Sequence, residues 1–339
     1  MSGQTPSSHP DPGWLFTEFF SFQRAHALKT AVGLELFTHI DDGAVTAPTL
    51  AERTGAAERG IRILCDYLTI VGHLTKQDGR YGLTPNSRAL LSKRSPVYMG
   101  SMGDFLVSEG LLQAFLHLPE AVKQGGAPPD PEGPLAPDHP MWVAFARSMA
   151  PLMDFVGERA AAQLTASGPA TKVLDIAAGH GMYGINLARR NPQAHVTGLD
   201  WATVLAVARE NAARFGVGER YHTVPGSAFE AEFGSGYDLV LVPNLCHHFG
   251  REANVALFKK IRVALAPGGR IAIVEFVPND DRVTPPTAAA FSLMMLAGTP
   301  EGDAYTFREY QEMLKAAGFR DVRMTSLEEL PWKLIVAVS

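Results

Sequence analysis

The stretch Val173-Leu174-Asp175-Ile176-Ala177-Ala178-Gly179-His180-Gly181-Met182-Tyr183-Gly184 constrains the fold of this chain more than any other. It reads as a short buried strand that runs into a glycine-rich turn and then opens a helix. Such a turn lets a ligand approach backbone amides closely. Its glycines spell G-x-G-x-x-G, the fingerprint of dinucleotide binding. The glycines alone do not name the ligand, so the surrounding chain has to.

From Gly168 onward the hydrophobic pattern alternates strands with helices. Strands are predicted at Lys172–Ile176, His195–Leu199, Arg220–Val224, Asp238–Val242 and Arg270–Phe276, with helices beginning near Met182, Thr203 and Arg251. Strands separated by helical segments imply a parallel sheet covered on both faces, with ligands at the carboxyl ends of the strands. Pro267-Gly268-Gly269 is expected to end a helix and launch the fifth strand. After a helix from Thr306 to Ala317, strands Arg320–Thr325 and Trp332–Val338 are close enough to pair as a hairpin at the sheet edge.

Two acids qualify the fingerprint. Asp175 lies inside an apolar strand, where an ionised carboxylate is costly unless backbone amides or a ligand cation satisfy it. A nicotinamide site would have an apolar residue there, whereas a ligand with an ammonium group could use the acid directly or through the order it imposes on the loop. Asp200 ends the second strand, 21 residues after Gly179, and can accept two ribose hydroxyls whichever nucleoside binds.

The N-terminal half has another character. Apolar residues from Trp14 to Ile40 recur at helical spacing over a surface too wide for one small domain to bury, which predicts a helical dimer interface. Thr49-x-x-Glu52 is expected to cap a short helix that stops near Gly55, and a second helix follows from about Glu58 to Val71. Strands Leu74–Gln77 and Tyr81–Leu83 flank the turn signal Asp78-Gly79. Helix, turn, helix and hairpin make a winged helix, which serves either DNA binding or dimer scaffolding. Between Pro48 and Arg94 eight Lys/Arg stand against four Asp/Glu, but the recognition helix offers only Arg59 and Arg62 to phosphates. A helical region is expected from Leu91 to about Lys123. The six prolines between Gln124 and Pro140 then exclude regular structure, and Met141–Leu164 returns to helix, with Pro151 expected to kink it.

The domain expectation is a tail at 1–13, a helical winged-helix domain at 14–123, a Pro/Gly-rich loop at 124–140, a linking helix at 141–168 and an α/β domain at 169–339. The Ser/Pro-rich start lacks the basic and apolar regions of a signal peptide. A formal charge of −5 gives no global attraction to nucleic acid or to an anionic membrane, and no apolar run is long enough to span one. Cys65 and Cys246 are far apart in the sequence, which fits reduced thiols and a cytoplasmic protein.

With these residues in view, the chain resembles the class I S-adenosylmethionine (SAM) dependent methyltransferases, and within them the dimeric small-molecule O-methyltransferases with a winged-helix dimerisation domain. The resemblance runs from about Trp14 to the C-terminus. It is carried by Val173-Leu174-Asp175 with Gly179-x-Gly181, Asp200, Pro225-Gly226-Ser227-Ala228-Phe229, Leu245-Cys246-His247-His248-Phe249, Pro267-Gly268-Gly269, Glu275 and the terminal hairpin. It implies a Rossmann-like α/β domain with a mostly parallel seven-stranded sheet, a homodimer, a small-molecule substrate and SAM as cofactor, converted to S-adenosylhomocysteine.

The same resemblance assigns roles. Gly179 and Gly181 would let the methionine part of the cofactor lie against the backbone and Asp200 would hold the ribose, with Asp175, Ala177 and Trp201 also among the cofactor-binding residues. In the family an acid and an apolar residue grip the adenine; here Ser227 replaces the acid, followed by Ala228 and Phe229. Asn244 would lie near the sulfonium. His247 would be the general base, since a neutral imidazole can take a proton from a hydroxyl near neutral pH, with Glu275 orienting it. The alternative for His247 is a packed histidine at a strand end. His248 stands where many members have Asp and is expected to be structural; no third ligand has spacing suited to a metal.

Phe145, Met149, Phe291, Met294 and Met295 would line an adaptable, aromatic-tolerant acceptor pocket, with Trp142 either beside it or in the core. One departure stands out. Ala304 occupies the place of a second family glutamate, with Asp303 next to it as a possible substitute. This leaves open C- or N-methylation and a SAM-binding relative that transfers no methyl, such as a decarboxylase, hydroxylase or pericyclase; the winged helix separately leaves open a SAM-sensing or DNA-binding regulator.

Overall fold

The computed structural model describes residues 10–130, 138–168, 170–328 and 330–339. Residues 1–9 of the expected tail and 131–137 of the Pro/Gly-rich loop lie outside the described residues. Contacts divide the chain into two compact units, Met1–Ser108 and Glu109–Ser339.

In the first unit the expected long helical stretch is broken into α1 (Pro12–Phe19), α2 (Phe22–Gly33) and α3 (Leu36–Asp41), with a left-handed turn at Glu35 between the last two. The short helix α4 (Ala47–Thr54) starts ahead of its expected cap. Thr46, not Thr49, is the N-cap, and Thr49 answers it from the third helical position, because Pro48 suits the first turn and Thr46 can stay extended. Gly55 closes α4 in a left-handed conformation, as its position predicts.

α5 (Glu58–Ile70), β1 (Leu74–Gln77) and β2 (Arg80–Leu83) complete the winged helix. Tyr81 pins the hairpin to α5 by donating its hydroxyl to Asp66 at 2.7 Å. Leu36, Phe37, Leu50, Ile61, Leu68 and Tyr81 form this unit's core. α6 (Pro85–Leu91) and α7 (Met102–Leu106) finish it.

The region expected to be helical to Lys123 continues as α8 (Glu109–Leu116) and α9 (Leu118–Gln124). These belong to the second unit rather than to an N-terminal domain ending at 123, since both pack on α14 (Pro286–Gly298). α10 (Pro140–Ala166) is one 27-residue helix that runs through Pro151.

Among the described residues, seven strands form the sheet of this unit. They are β3 (Lys172–Ile176), β4 (His195–Asp200), β5 (Tyr221–Pro225), β6 (Tyr237–Pro243), β7 (Leu265–Phe276), β8 (Arg320–Ser326) and β9 (Trp332–Val338). Their order is β5-β4-β3-β6-β7-β9-β8, parallel from β5 through β7, with the antiparallel pair β9-β8 at one edge. The order of connection reverses at β3, which has β4 on one side and β6 on the other, and ligands collect at such a switch point.

α10, α11 (Met182–Arg190) and α12 (Ala202–Arg214) pack against one another. α13 (Arg251–Ala264) and α15 (Phe307–Ala316) bury Phe258, Ile261, Tyr310 and Leu314 in a core with Ile273 and Ile335. Pro267-Gly268-Gly269 does not launch the fifth strand but bulges within it. Leu265 already pairs with Tyr237, and the register resumes at Leu239 and Arg270. The bulge needs its glycines, because Gly268 is left-handed and a Cβ on Gly269 would lie 2.8 Å from the Tyr237 carbonyl oxygen.

Candidate active site

The turn after β3 is built from left-handed backbone. Ala177, Gly179 and Gly181 have φ of 53°, 57° and 77°, and Gly181 begins α11. Ala177 is the unusual member, since a side chain there costs about 1–2 kcal/mol. A Cβ on Gly181 would come within 2.9 Å of the Tyr221 hydroxyl. One on Gly184 would sit 2.7 Å from Val196 and 2.9 Å from the Asp175 carboxylate. The third glycine of the fingerprint therefore lets α11 close down on β3.

Beneath that turn Asp175 is fully buried. Its Oδ2 accepts the Gly184 N–H at 3.1 Å, while its Oδ1 has no partner. Burial pushes this carboxyl well above the usual range, against the pull of one amide. Nearby, the Tyr221 hydroxyl is also buried without a partner.

Asp200, at the end of β4, reaches up to the same turn. Its two oxygens accept the N–H groups of Gly179 and Trp201, each at 2.7 Å. Burial still pushes its carboxyl up to about 6. Each oxygen keeps a lone pair for a further donor. The Trp201 ring packs with Ala146, Val204 and Val207.

The first residue after β6 is Asn244, held left-handed at φ 51°. Its Oδ1 accepts the Trp332 indole N–H at 2.9 Å and its Nδ2 donates to the Tyr183 hydroxyl at 3.0 Å. The indole can only donate, so the orientation of the amide is settled. His180, whose Nδ1 accepts the Met182 N–H at 3.1 Å, is pushed down to about 3 by burial and stays neutral. After β5, Ser227 turns inward and its hydroxyl accepts the Phe229 N–H at 3.2 Å. Lys260 ties down the carbonyls of Ala228 and Phe229, and the Phe229 ring meets Phe249 edge to face at 4.7 Å.

His247 lies in a short 3-10 turn, Cys246–His248, and faces Glu275 near the end of β7. Its Nδ1 is 2.6 Å from Glu275 Oε2, and its backbone N–H donates to Oε1 at 3.4 Å. The Phe291 ring stands edge-on to the imidazole at 4.8 Å and stacks on Phe276 at 4.3 Å. His248 is no bystander: its Nε2 is 3.1 Å from His247 Nε2, and Trp142 packs its edge against it at 5.3 Å.

Ala304 is fully buried, and Asp303 does not stand in for a glutamate beside the base; it pairs with Arg282 at 2.8 Å. Gly302 fits against the base so closely that a Cβ would lie 2.2 Å from the His247 carbonyl oxygen.

The structure therefore brings Phe145, which lies 6.0 Å from the His180 ring, and Phe291 to aromatic neighbours of the site. Met149 and Met295 are buried and Met294 is half-buried. Sequence reasoning missed Trp332, Phe276 and Gly302, whose roles arise only through partners distant in the chain. Cys246 and Cys65 are buried free thiols, both pushed up by burial. Among the described residues, no three His, Cys, Asp or Glu side chains gather as a metal site, and no helix is long and apolar enough to cross a membrane.

A mostly parallel sheet with a glycine turn at its switch point, a buried acid at the end of the neighbouring strand and a buried His–Glu pair between the turn after β6 and the end of β7 make up the candidate site. Comparison with known proteins is specific. Residues 135–320 match the O-methyltransferase domain family and residues 17–93 the O-methyltransferase dimerisation domain. The chain belongs to the O-methyltransferase family and is a SAM-dependent methyltransferase.

It is 29% identical over 322 residues to a 3-hydroxy-5-methyl-1-naphthoate 3-O-methyltransferase from Streptomyces sahachiroi, across 94% of this chain and 92% of that one. A crystal structure from Nostoc punctiforme PCC 73102, provisionally named an O-methyltransferase, is 45% identical with a TM-score of 0.92, covering 98% of this chain and 100% of that one. Human N-acetylserotonin methyltransferase, solved in complex with SAM, shares the fold at 21% identity and a TM-score of 0.83, across 98% and 99% of the two chains.

The residues fit SAM. A Cβ on Gly179 would meet nothing closer than 3.8 Å, so a ligand can lie against that backbone, Asp200 has acceptor capacity left, and the Asn244 amide is held in one orientation.

Proposed function

We propose that this enzyme methylates a hydroxyl of an aromatic or polyketide-like small molecule, with His247 as general base. The observation that carries this is the buried His247–Glu275 pair, 2.6 Å apart and walled by Phe291. The naphthoate named for the Streptomyces sahachiroi relative is an acceptor of this class.

SAM, when bound, supplies an electrophilic methyl on a sulfonium. The chain supplies the rest. Asp200 and Trp201 hold the ribose; Ala177, Gly179 and Gly181 present backbone to the methionine part; Ser227, Ala228 and Phe229 border the adenine; Asn244 faces the sulfonium region. Asp175 acts through the loop, because its carboxyl lies against Gly184 and not at the surface of the turn. Glu275 holds the His247 Nδ1–H, so that the opposite nitrogen keeps its lone pair and is the basic one. Phe145, Met149, Phe291, Met294 and Met295 form the flat apolar wall for the acceptor.

The working assembly is a homodimer, and a cytoplasmic one. Trp14, Phe16, Phe19, Phe20 and Phe22 are mostly exposed on α1 and the start of α2, beside a segment that matches a dimerisation domain. α5 exposes Ile63 and Ile70 and commits Arg62 to Asp66, which suits a protein partner better than nucleic acid.

The test is incubation with SAM and a panel of hydroxynaphthoates and simpler phenols, read by product mass, methyl position and S-adenosylhomocysteine. Stoichiometric S-adenosylhomocysteine with an O-methyl product is expected, and His247→Ala should lower kcat about 10²- to 10⁴-fold. Full turnover by His247→Ala would overturn the base assignment. A methyl on carbon or nitrogen would overturn the acceptor assignment.

A further inference from the structure

We propose that the acceptor's proton enters through His248 and is passed to His247, so that the two adjacent imidazoles act as a relay. This rests on the reading of His247 as base and adds the route by which the proton reaches it.

Glu275 accepts twice from the same residue, from the His247 Nδ1 at 2.6 Å and from its backbone N–H at 3.4 Å. Nδ1 therefore carries the hydrogen, and Nε2 of His247 presents a lone pair. That lone pair does not face open space. His248 Nε2 lies 3.1 Å from it, and two ring nitrogens at this distance share one hydrogen. His248 must be the donor, which leaves its own Nδ1 as an acceptor.

Access points the same way. The His247 side chain is only 6% exposed, enclosed by Glu275, Phe291 and His248. His248 is half-buried, its ring held edge-on by Trp142. Burial and the adjacent His247 ring hold His248 well below the usual imidazole range, which favours its neutral form.

The transfer balances. As the acceptor oxygen bonds to the methyl carbon, its O–H bond breaks and the proton goes to His248 Nδ1. The Nε2–H bond of His248 breaks in turn, and that hydrogen goes to His247 Nε2. The carbon–sulfur electron pair stays with the departing thioether. His248 ends neutral with its hydrogen on the other nitrogen, and the positive charge rests on His247 against Glu275.

The first measurement needs no acceptor. Long-range ¹H–¹⁵N correlation on the full-length protein labelled with ¹⁵N-histidine and loaded with S-adenosylhomocysteine should show His247 as the Nδ1–H tautomer and His248 as the Nε2–H tautomer. A His248 that carries its hydrogen on Nδ1, or a His247 that carries it on Nε2, overturns the relay.

The second uses a hydroxynaphthoate turned over by the unaltered enzyme. His248→Phe, which keeps the ring and its packing on Trp142, should lower kcat about a hundredfold or more with KM for SAM unchanged. A proton inventory in mixed H₂O and D₂O should fall from two transferred protons to one. An unchanged kcat in His248→Phe alongside an inactive His247→Ala overturns the relay and leaves the base standing. An active His247→Ala overturns the base itself. Should His248→Phe fail to fold, the tautomer measurement on the unaltered protein decides.

Discussion

Two buried carboxyls near the carboxyl end of the same sheet are treated in opposite ways. Asp175 and Glu275 are each fully buried. Asp175 receives one backbone N–H, leaves its other oxygen without a partner, and is pushed well above the ordinary range by burial. Glu275 receives both an imidazole nitrogen at 2.6 Å and a backbone N–H. Burial alone therefore does not say whether an acid is left short of donors or supplied with them; the groups around it do. The side around β3 and β4, to which we assign the cofactor, has its acid against backbone; the side around β6 and β7, to which we assign the base, has its acid against a side chain.

The sharpest test of that contrast is Glu275→Gln. It should lower kcat by about 10²- to 10⁴-fold, because the amide no longer fixes the His247 tautomer. SAM affinity, measured by calorimetry, should stay as it was. A parallel loss of SAM binding would mean the two halves are not separable.

Each half also depends on a glycine, and Gly302→Ala should separate them further. Its Cβ would lie 2.2 Å from the His247 carbonyl oxygen and displace the base, so turnover should fall with SAM binding intact, at a cost of about 1–3 kcal/mol in stability. Gly181→Ala should do the converse. A left-handed alanine pressed on Tyr221 costs about 1–2 kcal/mol and should weaken SAM binding roughly tenfold.

The pH dependence of cofactor binding belongs to the cofactor half alone. Asp200 is pushed up to about 6 from 3.8. Only its ionised form accepts two ribose hydroxyls, so SAM affinity should be full above that value and fall as pH drops through it. The protein's own stability moves oppositely. A raised carboxyl binds its proton more tightly when folded, so its contribution is greatest below 3.8 and is lost as pH rises through about 6. SAM titrations between pH 5 and 8 check the first sign, and the same titration on Asp200→Asn should be flat. The smallest effect is expected of Asp175→Asn. An amide matches the carboxyl in shape and can still accept the Gly184 N–H, so stability by chemical denaturation should change by less than about 1 kcal/mol. A large loss would show that the fold requires the carboxylate form.

The two halves also differed in how legible they were. The strands of the α/β unit follow from hydrophobic alternation and were placed within a residue or two, except β7. There, Pro267-Gly268-Gly269 reads locally as a break but is accommodated as a bulge, because the strand beyond it keeps pairing with β6. Gly179, Gly181 and Asp200 were legible because a turn's backbone demands are written in the residues that make it. The helix cap at Thr46 was misplaced by three positions, since Thr46 and Thr49 can both open a helix and only the position of Pro48 in the first turn distinguishes them. Asp303, next to the position of the second family glutamate, was expected to point elsewhere, but that it pairs with Arg282, 21 residues away, is legible only in the folded chain.

What the sequence determined by itself was the local chemistry: which strands exist, where the chain must turn left-handed, and that an acid ends β4. Only the tertiary structure decided which buried polar groups have partners. The His247–Glu275 pair spans 28 residues, and the Trp332–Asn244 bond spans 88. The physical reason is range. Backbone conformation is set by a residue and its neighbours, whereas the satisfaction of a buried polar group depends on whatever the folded chain brings to within about 3 Å of it.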